Sequence, residues 1–141
     1  MRRAAPVLLA LAVLLGGSAC GSGSIVLPTA KTVVGALPKP GKGNAAAGKK
    51  LYTSLGCQGC HSLNGAKGAG PTFKGLAGSQ VKLDSGQTVK ADDNYLLESI
   101  TDPDKQIVAG FQPGVMTSVI KPGQVSETDA SSLVAFIKTV K

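Results

Sequence analysis

The sequence predicts a mainly α-helical domain over residues 45–141, with long loops and one small β-hairpin. Three observations carry that expectation. Apolar residues recur at helical spacing in three segments, each preceded by a residue that caps helices. Glycine and proline crowd the stretches between those segments, where no regular period survives. The chain of 141 residues also has no Trp and only 4% aromatic residues, too few to fill a core unaided. Loops this long are normally disordered, or ordered by something bound among them.

At the N-terminus, Arg2 and Arg3 precede a continuously apolar run at 6–15, followed by Gly16, Gly17, Ser18 and Ala19. Ten apolar residues are too few to span a bilayer. The basic start, the short apolar run and the small residues read as a secretory signal over residues 1–19. Residues 20–44 hold Gly21, Gly23, Gly35, Gly41 and Gly43 with Pro28, Pro38 and Pro40, and are expected to form a flexible linker, with an ordered arm lying on the domain, suggested by Ile25-Val26-Leu27 and Val33-Val34, as the alternative.

Residues 45–55 are good helix formers, with Asn44 as N-cap, Gly56 just past the end, and Leu51 and Leu55 on one face beside Tyr52. A glycine-rich loop follows, from Gly59 to Gly78. Residues 81–89 alternate around Asp84-Ser85-Gly86, a hairpin pattern. Asp92 caps a short helix at 93–101, whose Leu96, Leu97 and Ile100 share a face and which Pro103 stops. Residues 105–124 carry Gly110, Pro113, Gly114, Pro122 and Gly123 and read mostly as loop. Residues 126–140 form the strongest predicted helix. Ser126 and Asp129 resemble a capping box, and Ala130, Leu133, Val134, Ile137 and Val140 make the apolar stripe, flanked by Phe136.

Charge narrows the function. The chain carries +7, and loss of residues 1–19 would leave thirteen lysines against eight acidic residues. The lysines are scattered, with Lys49-Lys50 the largest group, so no nucleic-acid partner is expected. Composition also excludes a coiled coil, a multi-domain enzyme and a multi-pass membrane protein.

The most specific signal is Cys57-Gln58-Gly59-Cys60-His61. Two thiols three residues apart can each add to one vinyl group of a haem, and the following histidine then falls under the iron, so the pattern reads as attachment of one covalent haem c. Gly59 removes bulk where the backbone lies against the ring edge. A redox-active dithiol would need a βαβ setting, which the pattern lacks. Structural zinc would need four ligands, and Cys20 is remote. A Cys57–Cys60 disulfide would leave the glycine-rich loops without a core.

His61 is the sole histidine, so a second histidine ligand from the same chain is excluded. Beyond the signal the only methionine is Met116, 55 residues after His61, in a loop between Pro113-Gly114 and Thr117. A thioether is a soft iron ligand that raises the reduction potential of haem. Met116 is therefore the expected sixth ligand, with a lysine or an open site as the alternatives.

These residues resemble a class I c-type cytochrome across 45–141. Gly48 and Tyr52 match the glycine and aromatic of that family's N-terminal helix, which crosses the C-terminal helix near an aromatic, here Phe136. Gly70-Pro71 matches the Gly-Pro that follows the haem motif. The resemblance implies the class I fold, with N- and C-terminal helices packed together around one haem, and a Pro71 carbonyl that accepts the Nδ1–H of His61. A closer likeness, over Gly78–Leu83, Gly86–Val89, Tyr95–Ile100, Asp102-Pro103, Val108–Phe111 and Met116, is to the cytochrome c domain fused to subunit II of some bacterial haem-copper oxidases. That group usually has Arg where this chain has Leu97, and Pro where it has Thr117. With no copper-binding domain in the sequence, a free-standing form is expected.

Cys20, after Ser18-Ala19 and before Gly21, resembles a bacterial lipoprotein processing site, although Gly17 stands where Leu is usual. The expectation is a monomeric electron carrier, not an enzyme, with a lipid anchor on the outer face of the bacterial cytoplasmic membrane. Its partners would be membrane-bound redox proteins, such as a quinol-oxidising complex and a haem-copper terminal oxidase. A haem sensor or peroxidase-like protein is the alternative. It would need an open iron site and polar distal groups, yet no second His exists and no Arg follows residue 3.

Overall fold

The computed structural model describes residues 41–141, and the expected signal at 1–19, Cys20 and the linker to residue 40 lie outside the described residues. Four α-helices and one two-stranded sheet follow in order. They are α1 (Ala45–Ser54), a single 3₁₀ turn (Cys57–Gly59), β1 (Gln80–Lys82), β2 (Thr88–Lys90), α2 (Asp93–Thr101), α3 (Val115–Val119) and α4 (Glu127–Ile137). No described helix is long and apolar enough to cross a membrane.

The helix starts follow from their caps. Asn44 accepts from the Ala47 N–H, Asp92 from Tyr95 and Ser126 from Asp129, each satisfying an amide that the first helical turn leaves without a partner. The Ser126 cap is not fully reciprocal: its hydroxyl donates to the Asp129 carboxylate at 2.9 Å. Helix α4 is shorter than its apolar stripe. It ends at Ile137, and Thr139 and Val140 make tighter bonds to Phe136 and Ile137.

The core lies where α1 and α2 meet α4. Ala130, Leu133, Val134, Phe136 and Ile137 of α4 are buried, as are Tyr52 of α1 and Leu96, Leu97 and Ile100 of α2. Each large apolar side chain so removed from water stabilises the fold by about 1.5–3 kcal/mol. The crossing of α1 on α4 depends on Gly48. A Cβ there would stand 1.9 Å from the Ser132 carbonyl oxygen and 2.8 Å from Phe136 Cβ. Tyr52 packs one turn further along, its ring centroid 5.5 Å from that of Phe136. Leu97 is 1% exposed and belongs to this core.

Two expectations are corrected. Residues 41–44, assigned to the linker, lie on α4: the Gly41 and Asn44 amides donate to the hydroxyls of Ser131 and Ser132 at 3.1 and 3.3 Å. Both contacts join positions some ninety residues apart, so no local pattern announces them. The segment 105–124 is mostly loop, as expected, but Met116, expected within the loop, is the second residue of α3. Part of the same segment also joins the hairpin. The strands pair antiparallel as Gln80↔Lys90, Val81↔Val89 and Lys82↔Thr88, and Leu83 bridges Val108. Amide bonds from Asp84 to Ile107 and from Ala109 to Lys82 complete that edge.

Candidate functional site

Cys57 opens the 3₁₀ turn that follows α1. The Cys60 and His61 amides both donate to the Cys57 carbonyl, so the turn holds all three side chains in one short arc. No disulfide joins the two thiols. Burial pushes the Cys57 thiol up, its own backbone hydrogen bond draws it partly back, and Cys60 adds to the rise. Among the described residues nothing lies within 4 Å of a Cβ at Gly59, so their packing places no demand for glycine there.

His61 is held from several sides. Its Nδ1 lies 2.8 Å from the Pro71 carbonyl oxygen. A carbonyl only accepts, so Nδ1 carries the proton and Nε2 keeps a free lone pair. The expected Pro71 contact is thus present. Phe73 stacks on the imidazole at 4.7 Å between centroids, 21° from parallel. A Cβ at Gly70 would stand 2.4 Å from His61 Cε1, so only glycine lets the chain pass so close to the ring. Burial holds the imidazole below its ordinary value, against a weaker upward pull from the Pro71 carbonyl, which favours the neutral, ligating form.

Sequence reasoning missed one support: the Tyr52 hydroxyl donates to the His61 carbonyl, tying the helix crossing to the site. A tyrosine at a predicted helix crossing is consistent with such a bond but does not specify its partner. The loop beyond His61 is closed by its own polar groups. Thr72 Oγ1 donates to the Ser62 carbonyl and accepts from the amides of Gly65 and Lys74.

Cys57, Cys60, His61, Pro71 and Met116 all line one cleft of about 760 Å³. Its walls come from the 3₁₀ turn, the Gly70–Leu76 loop, β1, α2, the segment between α2 and α3, and α3, with Leu133 and Ile137 of α4 behind them. Most of the lining is aliphatic or aromatic, as a flat, largely apolar macrocycle requires. Ser99 Oγ belongs to the same lining and is buried with no hydrogen-bond partner among the described residues. Two thiols, one imidazole with its lone pair free, a thioether and an apolar cleft together fit a covalent haem.

The sequence profile of the cytochrome c family matches residues 45–141, and the chain belongs to that family. Its fold is the class I cytochrome c fold, and its cofactor is haem c, joined covalently through Cys57 and Cys60. Members of the family are typically electron carriers, not enzymes. Among solved structures, cytochrome cH from Methylobacterium extorquens is similar at 26% identity, covering 69% of this chain and 99% of that one, with a TM-score of 0.47. No curated protein matches the chain.

Proposed function

We propose that this protein carries single electrons between membrane-bound respiratory complexes on the outer face of the bacterial cytoplasmic membrane. The observation that carries the reading is the convergence of Cys57, Cys60, His61 and Met116 on one apolar cleft. Bound haem c supplies one iron centre that gains or loses a single electron. Cys57 and Cys60 hold it in place covalently. His61 would hold the iron through Nε2, its tautomer and ring orientation set by Pro71, Gly70 and Phe73. Met116 would hold it through its thioether, which would raise the potential. The apolar walls exclude water, and the Nδ1–H of His61 stays engaged with the Pro71 carbonyl.

Cys20 becomes the acylated N-terminus in this reading. Several acyl chains, at about 0.8 kcal/mol per buried CH₂, anchor it stably. The likeness to oxidase-fused domains supports a haem-copper terminal oxidase as acceptor and a quinol-oxidising complex as donor, with the protein acting as a monomer. The test has two arms. Reduced protein mixed with an isolated haem-copper oxidase is expected to be oxidised in one phase; no oxidation rules out that acceptor. Cys20→Ser is expected to move haem c from the membrane to the soluble fraction with its spectrum unchanged. Retention in the membrane after signal cleavage contradicts the anchor.

A further inference from the structure

Met116 stands on a weakly supported element. Helix α3 has five residues, and its N-cap, Gly114, has no side chain to cap it and lies at φ 80°. Val115 and Val119, 39% and 59% exposed, line the same cleft as Met116, so the rest of the chain gives this helix little burial. At its far end Ile120 is buried and pins the chain. At its near end the support is Asp104. One carboxylate oxygen accepts from the Gly114 amide and the other from Thr117 Oγ1, both at 2.8 Å. The carboxylate therefore spans the first turn, bonded two residues before Met116 and one residue after it.

The anchor behind Asp104 is firm. Pro103, next to it, is buried at the end of α2. Lys105 and Gln106, just beyond, both donate to the Glu98 carboxylate on α2. Asp104 thus connects a helix seated in the core to the turn that carries the thioether. Thr117 is also the residue that replaces the Pro usual in the similar oxidase domains. A proline there would stiffen the backbone by fixing φ. Here a hydroxyl and a carboxylate restrain the same turn from outside it.

We propose that Asp104, acting through Gly114 and Thr117, is the positioning residue for Met116, holding the thioether in the cleft. The proposal rests on Met116 being an axial ligand. Holo-protein in the ferrous state is mixed with carbon monoxide, which binds only when the thioether has left. Asp104→Ala is expected to raise the binding rate about tenfold and Thr117→Val about threefold, as hydrogen bonds of this kind imply. Asp104→Asn, which keeps an acceptor for the Gly114 amide, recovers part of the loss. The sulfur-to-iron charge-transfer band weakens in the same order. Amide exchange at Ser118 and Ile120, whose N–H groups bond to Gly114 and Met116, quickens, while exchange in α4 is unchanged.

A carbon monoxide rate in Asp104→Ala and Thr117→Val equal to the parent's, with Met116→Ala faster than all three, overturns the proposal and leaves the ligand assignment standing. A parent already as fast as Met116→Ala overturns the ligand assignment and the proposal with it. If Asp104→Ala does not fold, Thr117→Val decides alone, since it keeps the Gly114 bond and the side-chain shape.

Discussion

The α1–α4 crossing and the segment around Met116 are built by different means. At the crossing, the chain supplies its own partners: Tyr52, Leu133, Val134, Phe136 and Ile137 are all buried, and Gly48 lets two backbones meet. Around Met116, residues 103–120 have few buried side chains, and their contacts are mainly polar: a carboxylate clamp, the Glu98 bonds of Lys105 and Gln106, the edge with β1, and a cleft wall. The first region is held by apolar packing within the protein. The second faces a space that the haem fills. The same contrast explains a core made with so few aromatics, since the cofactor is the largest apolar body in the domain.

Predictions that break or sharpen the contrast run from large effects to small. Replacing both Cys57 and Cys60 by Ser removes the haem attachment. Cooperative melting should disappear, because the α1–α4 crossing alone cannot order the loops. A haem-free double variant that melts cooperatively would show that the protein core suffices. Gly48→Ala attacks the other region. Its Cβ would meet the Ser132 carbonyl at 1.9 Å, and a stability loss of about 3 kcal/mol is expected, read from the denaturant midpoint, with the haem spectrum unchanged.

Glu98 gives a smaller, pH-dependent effect. The Lys105 hydrogen bond, aided by Gln106, holds its carboxyl below the ordinary 4.5 although partial burial opposes this. A lowered folded value means the contribution is fully present above pH 4.5 and is lost as pH falls through that lower value. Glu98→Gln should therefore lower stability at neutral pH by about 0.5–1 kcal/mol and flatten its fall in acid. Identical acid profiles for parent and variant would remove Glu98 from the account. Lys138 and Asp93 pair at 2.8 Å with half their side-chain surface exposed. Lys138→Ala should cost no more than about 0.5 kcal/mol in a thermal melt.

The two regions also differ in how far they could be read from sequence. Helices α1, α2 and α4 announce themselves because their signals are local: Asn44, Asp92 and Ser126 stand next to the turns they cap, and the apolar residues follow at helical spacing. Cys57, Cys60 and His61 are contiguous, and Pro71 lies close in sequence, so most of the site was legible. Helix α3 was not. It is short and glycine-led, and its first turn is restrained by Asp104, ten residues before Gly114. No spacing rule links an Asp after Pro103 to that turn. The seating of residues 41–44 escaped for the same reason, because the partners Ser131 and Ser132 are distant in sequence. The end of α4 was overextended, since the apolar stripe continues to Val140 after the α-helical bonds have given way to tighter ones.

The account rests on His61 and Met116 serving one haem from two differently built regions. A redox titration of the parent and Met116→Ala holo-proteins, followed by carbon monoxide mixing of the reduced forms, tests this most directly. In both, haem should stay attached, because Cys57, Cys60 and His61 are untouched. The parent should titrate as a single one-electron centre and resist carbon monoxide. Met116→Ala should titrate at a lower potential, because water or hydroxide stabilises ferrous iron less than a thioether does, and it should bind carbon monoxide quickly. Equal potentials and equal carbon monoxide rates would contradict the account, leaving Met116 as a packing residue and the sixth position to another group.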